Sequence, residues 1–163
     1  MLLRRRIRRT RSGSYQVRLP PEERRILQSL PGQLRELIDD PDRDPSLARL
    51  FPPAYAGDVM RDAEYQVMMG DELVERRRAQ IALLEETVDR DELSDEELAS
   101  WMRCLNDIRL VLGTQLDVSE DMVALDDDDP RAPAFALYGY LSWLLEQIVD
   151  AMSGALPDVE DDD

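Results

Sequence analysis

Ser94-Asp95-Glu96-Glu97-Leu98-Ala99-Ser100-Trp101-Met102-Arg103-Cys104-Leu105-Asn106-Asp107-Ile108-Arg109-Leu110-Val111-Leu112-Gly113 spells out the most regular helix of the chain. Ser94 followed three residues later by Glu97 is a capping box, in which the hydroxyl accepts from the Glu97 N–H and the carboxylate reaches back to the Ser94 N–H. Leu98, Trp101, Leu105, Ile108 and Leu112 then recur at steps of three and four, which gathers them on one face of a helix. Gly113 is placed to end it. The expected helix covers about 95–113, and its apolar stripe needs partners of the same kind.

Partners are found on both sides. Upstream, Leu73, Arg77, Ile81, Leu84 and Val88 follow a seven-residue repeat in a long helical stretch over about 58–89, with Asp58 as its N-cap and Gly70 as a break. Downstream, an acidic run at Asp126 to Asp129 reads as a solvated linker. A last helix over about 133–153 offers Tyr138, Leu141, Leu145, Ile148 and Met152 on one side. Pro20-Pro21-Glu22-Glu23 opens another helix over about 21–38, with Leu27, Leu30, Leu34 and Leu37 at helical spacing and a kink or interruption near Pro31-Gly32. Asp44-Pro45 begins a short turn of helix over about 45–50, closed by Phe51-Pro52-Pro53.

At the N-terminus, Tyr15, Val17 and Leu19 alternate with polar residues after a Ser12-Gly13 turn signal, so residues 5–19 read as a β-hairpin. A lone hairpin is marginal in water and must lie on the helices. Residues 157–163, a proline followed mostly by acids, read as a disordered tail. The fold class expected is mainly α: a bundle of four to five helices carrying a small N-terminal hairpin, as a single domain over 1–156.

Charge divides the chain. Residues 1–25 carry nine Arg against Glu22 and Glu23, so a formal net charge of −16 leaves −23 for the remainder. This is a basic head on an acidic body. All 20 basic residues are Arg, which suits bidentate pairing with carboxylates or phosphates. Arg4, Arg5, Arg6, Arg8, Arg9 and Arg11 are candidate anion contacts, either to phosphate backbones or to carboxylates of the same chain. The acidic body argues against direct nucleic-acid binding.

The residue inventory excludes familiar catalytic routes. Without His there is no imidazole base for a serine or cysteine nucleophile. No glycine-rich phosphate loop or cofactor motif is present. Glu72-x-x-Glu75 with Glu92-x-x-Asp95 is similar to the magnesium-binding pattern of all-helical nucleotide pyrophosphohydrolases, but its second half falls in a loop and cap rather than on a shared helical face. No catalytic, cofactor-binding or metal-ligating residue is assigned. Cys104 is the only cysteine, which forbids an intramolecular disulfide and fits a reducing compartment. At the flank of the apolar stripe it reads first as a packing residue, and second as a candidate redox thiol. No segment approaches the ~20 apolar residues that span a bilayer, and the Arg-rich start lacks the apolar stretch of an export signal. A cytoplasmic protein without membrane contact is the expectation.

Three stretches resemble a known family: Asp44-Pro45-Ser46-Leu47-Ala48-Arg49-Leu50-Phe51-Pro52-Pro53-Ala54-Tyr55, then Ala63-Glu64-Tyr65, and above all Trp101 through Thr114. With Tyr138 and Trp143-Leu144, the likeness runs from about residue 12 to 152. The family is an actinobacterial domain-of-unknown-function family of oxidative stress transcriptional regulators, the AosR family. The resemblance implies a cytoplasmic helical protein that controls transcription through a protein partner, a sigma factor or RNA polymerase. It marks Trp101, Asn106, Asp107, Arg109 and Gly113 as motif residues and candidate contacts. It also implies a redox switch made by cysteines four apart. Here Ser100 and Ile108 stand at that spacing from Cys104, so that switch is absent. A DNA-binding module through the Arg-rich head, a protease-associated adaptor and a metal-dependent nucleotide hydrolase are the alternatives, and a homo-oligomer is compatible with the sequence.

Overall fold

The computed structural model describes residues 5–39, 59–117, 126 and 128–154, with the helical backbone alone over 59–71. Its elements in chain order are β1 (Ile7–Arg9), β2 (Tyr15–Val17), α1 (Pro21–Asp39), α2 (Val59–Thr87), β3 (Glu92–Leu93), α3 (Asp95–Leu116) and α4 (Ala132–Ser153). The architecture is mainly helical, four helices with a small three-stranded antiparallel sheet.

α3 is the central element, packed chiefly on α4 and α2, while α1 lies along α2 and β1 against α4. The reason is the stripe at its middle: Leu98, Trp101, Cys104 and Leu105 are all inaccessible to solvent. Their counterparts are Ile81 and Leu84 on α2, Val88 just beyond its end, and Leu141, Leu144 and Ile148 on α4. The capping box at Ser94 forms in full, with Ser94 N donating to Glu97 Oε1 at 2.9 Å and Glu97 N to Ser94 Oγ at 3.2 Å.

Four local expectations are corrected. The hairpin gains a third strand, because Leu93 pairs with Tyr15 and Glu92 with Gln16 across β2 and β3. Two residues are too few to show an alternating pattern, but Leu93 is fully buried. α1 runs unbroken through Pro31, since Leu27, Leu30, Leu34 and Ile38 bury the same face on both sides of the proline. That shared burial outweighs the loss of one ladder hydrogen bond. α2 likewise passes through Gly70 without a break.

Gly113, the expected stop of α3, lies inside the helix, which continues to Leu116 and ends at Asp117 in the left-handed region (φ 53°). The glycine serves packing instead: a Cβ there would stand 2.9 Å from Cε2 of Tyr138 on α4. The expected short helix over 45–50, the Asp58 cap and the acidic tail over 157–163 lie outside the described residues.

Candidate functional site

The residues singled out on α3 divide between its two neighbours. Toward α2, the Trp101 indole N–H donates to Thr87 Oγ1 at 2.6 Å, and Thr87 in turn donates to the Leu83 carbonyl at 2.6 Å. Both partners are fully buried. A buried indole N–H needs an acceptor, and the last turn of α2 supplies it. Two helical turns further on, Asp107 accepts a short charged hydrogen bond from Arg77 of α2. Burial holds the Asp107 carboxyl above its ordinary range, against the opposing pull of Arg77.

Cys104 lies between these two contacts on the same helix. Burial, reinforced by the negative charges of Asp107 and Glu85, pushes its thiol up to about 12. Thiolate chemistry needs the opposite, an accessible sulfur with a lowered pKa. The ion pair between Arg35 of α1 and Glu85 of α2 belongs to the same electrostatic surroundings.

Toward α4 the contacts are of another kind. Arg109 donates to Asn106 Oδ1 at 2.9 Å within α3, and its guanidinium stands 5.9 Å from the centre of the Tyr138 ring, within cation–π range. Asp107 makes the interhelical ion pair, and Asn106 and Arg109 bond to each other. A groove of about 460 Å³ opens beside them, with Met102, Arg103, Glu146 and Val149 on its walls. Val149 is 49% exposed, one of two large apolar side chains in that state among the described residues.

The Arg-rich head is partly absorbed into the fold. Arg6 is held by the Glu23 carboxylate at 2.9 Å, its backbone N–H donates to Gln147 Oε1 at 3.0 Å, and its guanidinium lies 5.3 Å from the Trp143 ring centre. Arg9 donates to the Gly154 carbonyl at 3.2 Å. Arg24, near the end of the head, donates to the Val88 carbonyl at 2.8 Å and to Asp91 at 2.7 Å, tying α1 to the segment before β3. Arg5 and Arg8 line a cleft on the outer face of the sheet. Arg11 is exposed in the hairpin turn, and Arg4 lies outside the described residues.

The four carboxylates of the hydrolase alternative are dispersed among separate partners. Glu72 faces Arg76 and Glu75 faces Arg78 along α2, while Glu92 accepts from Ser14 and Asp95 from the Tyr15 hydroxyl at 2.9 Å. Among the described residues no three acidic or cysteine side chains are grouped as a metal site would require, and no helix is long and apolar enough to cross a membrane. Thr87 and Arg77, the two α2 partners of the motif, were not singled out as partners by sequence. Arg77 occupied a heptad position, which was the available signal; Thr87 carried none.

The family model described as a domain of unknown function (DUF2017) matches residues 4–152 of this chain. The chain is also similar to the oxidative stress regulator AosR of Mycobacterium tuberculosis and to the protein of the same name in Mycobacterium bovis. Each is 27% identical over 187 aligned positions that cover 90% of this chain and 86% of the relative. No solved structure matches.

Proposed function

The chain belongs to the DUF2017 family, and from that premise we propose that it is a non-enzymatic cytoplasmic regulator that takes part in the oxidative stress response by protein–protein contact, with a sigma factor or RNA polymerase as its partner. The observation that carries this reading is the similarity to AosR over nine tenths of the chain. Physical support for contact comes from charge: the body of the protein is strongly acidic, which repels DNA and steers association toward basic patches on a protein. Exposed carboxylates such as Glu86 and Asp89 on and just beyond the last turn of α2 belong to that surface. Trp101 and Cys104 are sealed in the core, so the contact belongs to other residues.

The test is capture of purified RNA polymerase, with and without sigma factors, by the immobilised full chain. Capture should weaken as salt rises, should persist in Cys104→Ser, and should fall in Glu86→Lys/Asp89→Lys. Removing the Arg-rich head is not a clean control, because Ile7 is fully buried in the core; charge reversal at exposed Arg11 is. Sequence-preferring capture of promoter DNA by the protein alone at physiological salt would sink the proposal.

A further inference from the structure

The outer side of the sheet gathers several arginines around one cleft in an otherwise acidic chain. In the antiparallel register Ile7 faces Val17 and Arg8 faces Gln16, and Arg18 N donates to the Arg6 carbonyl at 2.8 Å. Alternation therefore turns Ile7, Tyr15 and Val17 into the core and sets Arg8 and Arg18 on the opposite side, with Arg6 at their edge, largely covered by Glu23 and Trp143. With Arg5 and Arg24 these side chains line a cleft of about 560 Å³ in which Asp91 is the one acidic residue among the described residues.

Arg6 is fixed by Glu23, and Arg24 by Asp91 and main-chain carbonyls. They add to the local positive field without having to move. Arg8 differs: its Nε is buried and has no hydrogen-bond acceptor, although the chain has 36 acidic residues to draw on. A buried N–H donor without an acceptor is costly, and several guanidinium forks around one cleft match the oxygens of a phosphate group.

We propose that this cleft binds a compact phosphorylated ligand, with Arg8 and Arg18 donating to its phosphate oxygens and Arg5, Arg6 and Arg24 supplying the surrounding field. The cleft's volume lies in the range of small-molecule sites. A net charge of −16 favours a compact anion over a polymer, because a ligand confined to the cleft feels mainly the arginines within a Debye length of about 8–10 Å, whereas a long polyanion also meets the acidic bundle. This inference is independent of the partner contact proposed above.

Titration calorimetry of the full chain with pyrophosphate and with ADP, at physiological salt, tests it. One pyrophosphate should bind per chain, and Arg8→Gln/Arg18→Gln should weaken it by about tenfold or more, the loss of at least one charge-assisted contact. Arg131→Gln, remote in sequence and paired with Asp129, should leave it unchanged. Arg18 is exposed, so Arg18→Gln alone must lower affinity while the melting temperature stays at the parent value, which separates loss of binding from loss of fold. Absence of binding to either probe, equal affinity in the double variant, or tighter binding of a short oligonucleotide than of pyrophosphate would each overturn the proposal.

Discussion

α3 and the N-terminal hairpin both carry dense sets of polar residues in a short span, yet the fold treats them differently. On α3 the inward-lying polar groups are engaged by neighbours: Trp101 by Thr87, Asp107 by Arg77, Arg109 by Asn106 and the Tyr138 ring. On the hairpin one face is core and the other looks outward, so Arg6 and Arg9 are tied to helices while Arg8 and Arg18 face the cleft. A polar residue with packed neighbours on both sides becomes part of the fold. One on the outer face of a sheet keeps its donors for something else.

That contrast is broken or sharpened most strongly at Trp101. Trp101→Ala removes the largest fully buried side chain and should cost about 3–5 kcal/mol, as large aromatic truncations in cores do. Leu105→Ala should cost ~2–5 kcal/mol. Urea unfolding followed by far-ultraviolet circular dichroism checks both; an unmoved midpoint in both variants would remove α3 from the centre of the core.

A smaller effect, with a signature in pH, belongs to the ion pair. Arg77→Ala leaves the buried Asp107 carboxylate without its cation and should destabilise the protein by about 3 kcal/mol at pH 7, in the range for a broken buried pair. Burial already raises the Asp107 pKa in the folded state, and losing Arg77 raises it further. A folded-state pKa above the unfolded one favours the protonated form, so the acid's contribution is fully present below the unfolded value and lost as pH rises through the folded one. The deficit of Arg77→Ala relative to the parent should therefore shrink as pH falls from 7 toward about 4, the unfolded aspartate range. A deficit independent of pH would mean that Arg77 acts by packing alone.

The smallest effect is expected on the hairpin. Arg18→Ala, on the exposed face, should change stability by no more than about 0.5 kcal/mol, the usual bound for a surface substitution. Thermal unfolding of Trp101→Ala, Arg77→Ala and Arg18→Ala side by side gives the gradient. An Arg18→Ala loss comparable to that of Arg77→Ala would place the outward arginines in the fold after all.

Periodicity and capping were enough for the helices, since a stripe at steps of three and four and a Ser94–Glu97 box are properties of one segment and its immediate neighbours. The candidate site was less legible. Gly113 looked like a helix stop, because a glycine after an apolar stripe usually is one; its actual role depends on Tyr138, twenty-five residues away in sequence. Leu93 and Glu92 carry no strand pattern of their own and become β3 only because β2 offers an unpaired edge.

The helical class, the hairpin, the inward stripe of α3 and the absence of a paired-cysteine switch around Cys104 are legible before folding, because each follows from local spacing or from residue count. Which polar residues pair, that the Cys104 thiol is sealed and held in its protonated form, and that Arg5, Arg6, Arg8, Arg18 and Arg24 line one cleft follow only from the folded arrangement. Those outcomes depend on which surfaces face each other once the chain is folded, and a dielectric environment or a convergence of charges exists only after that packing is made.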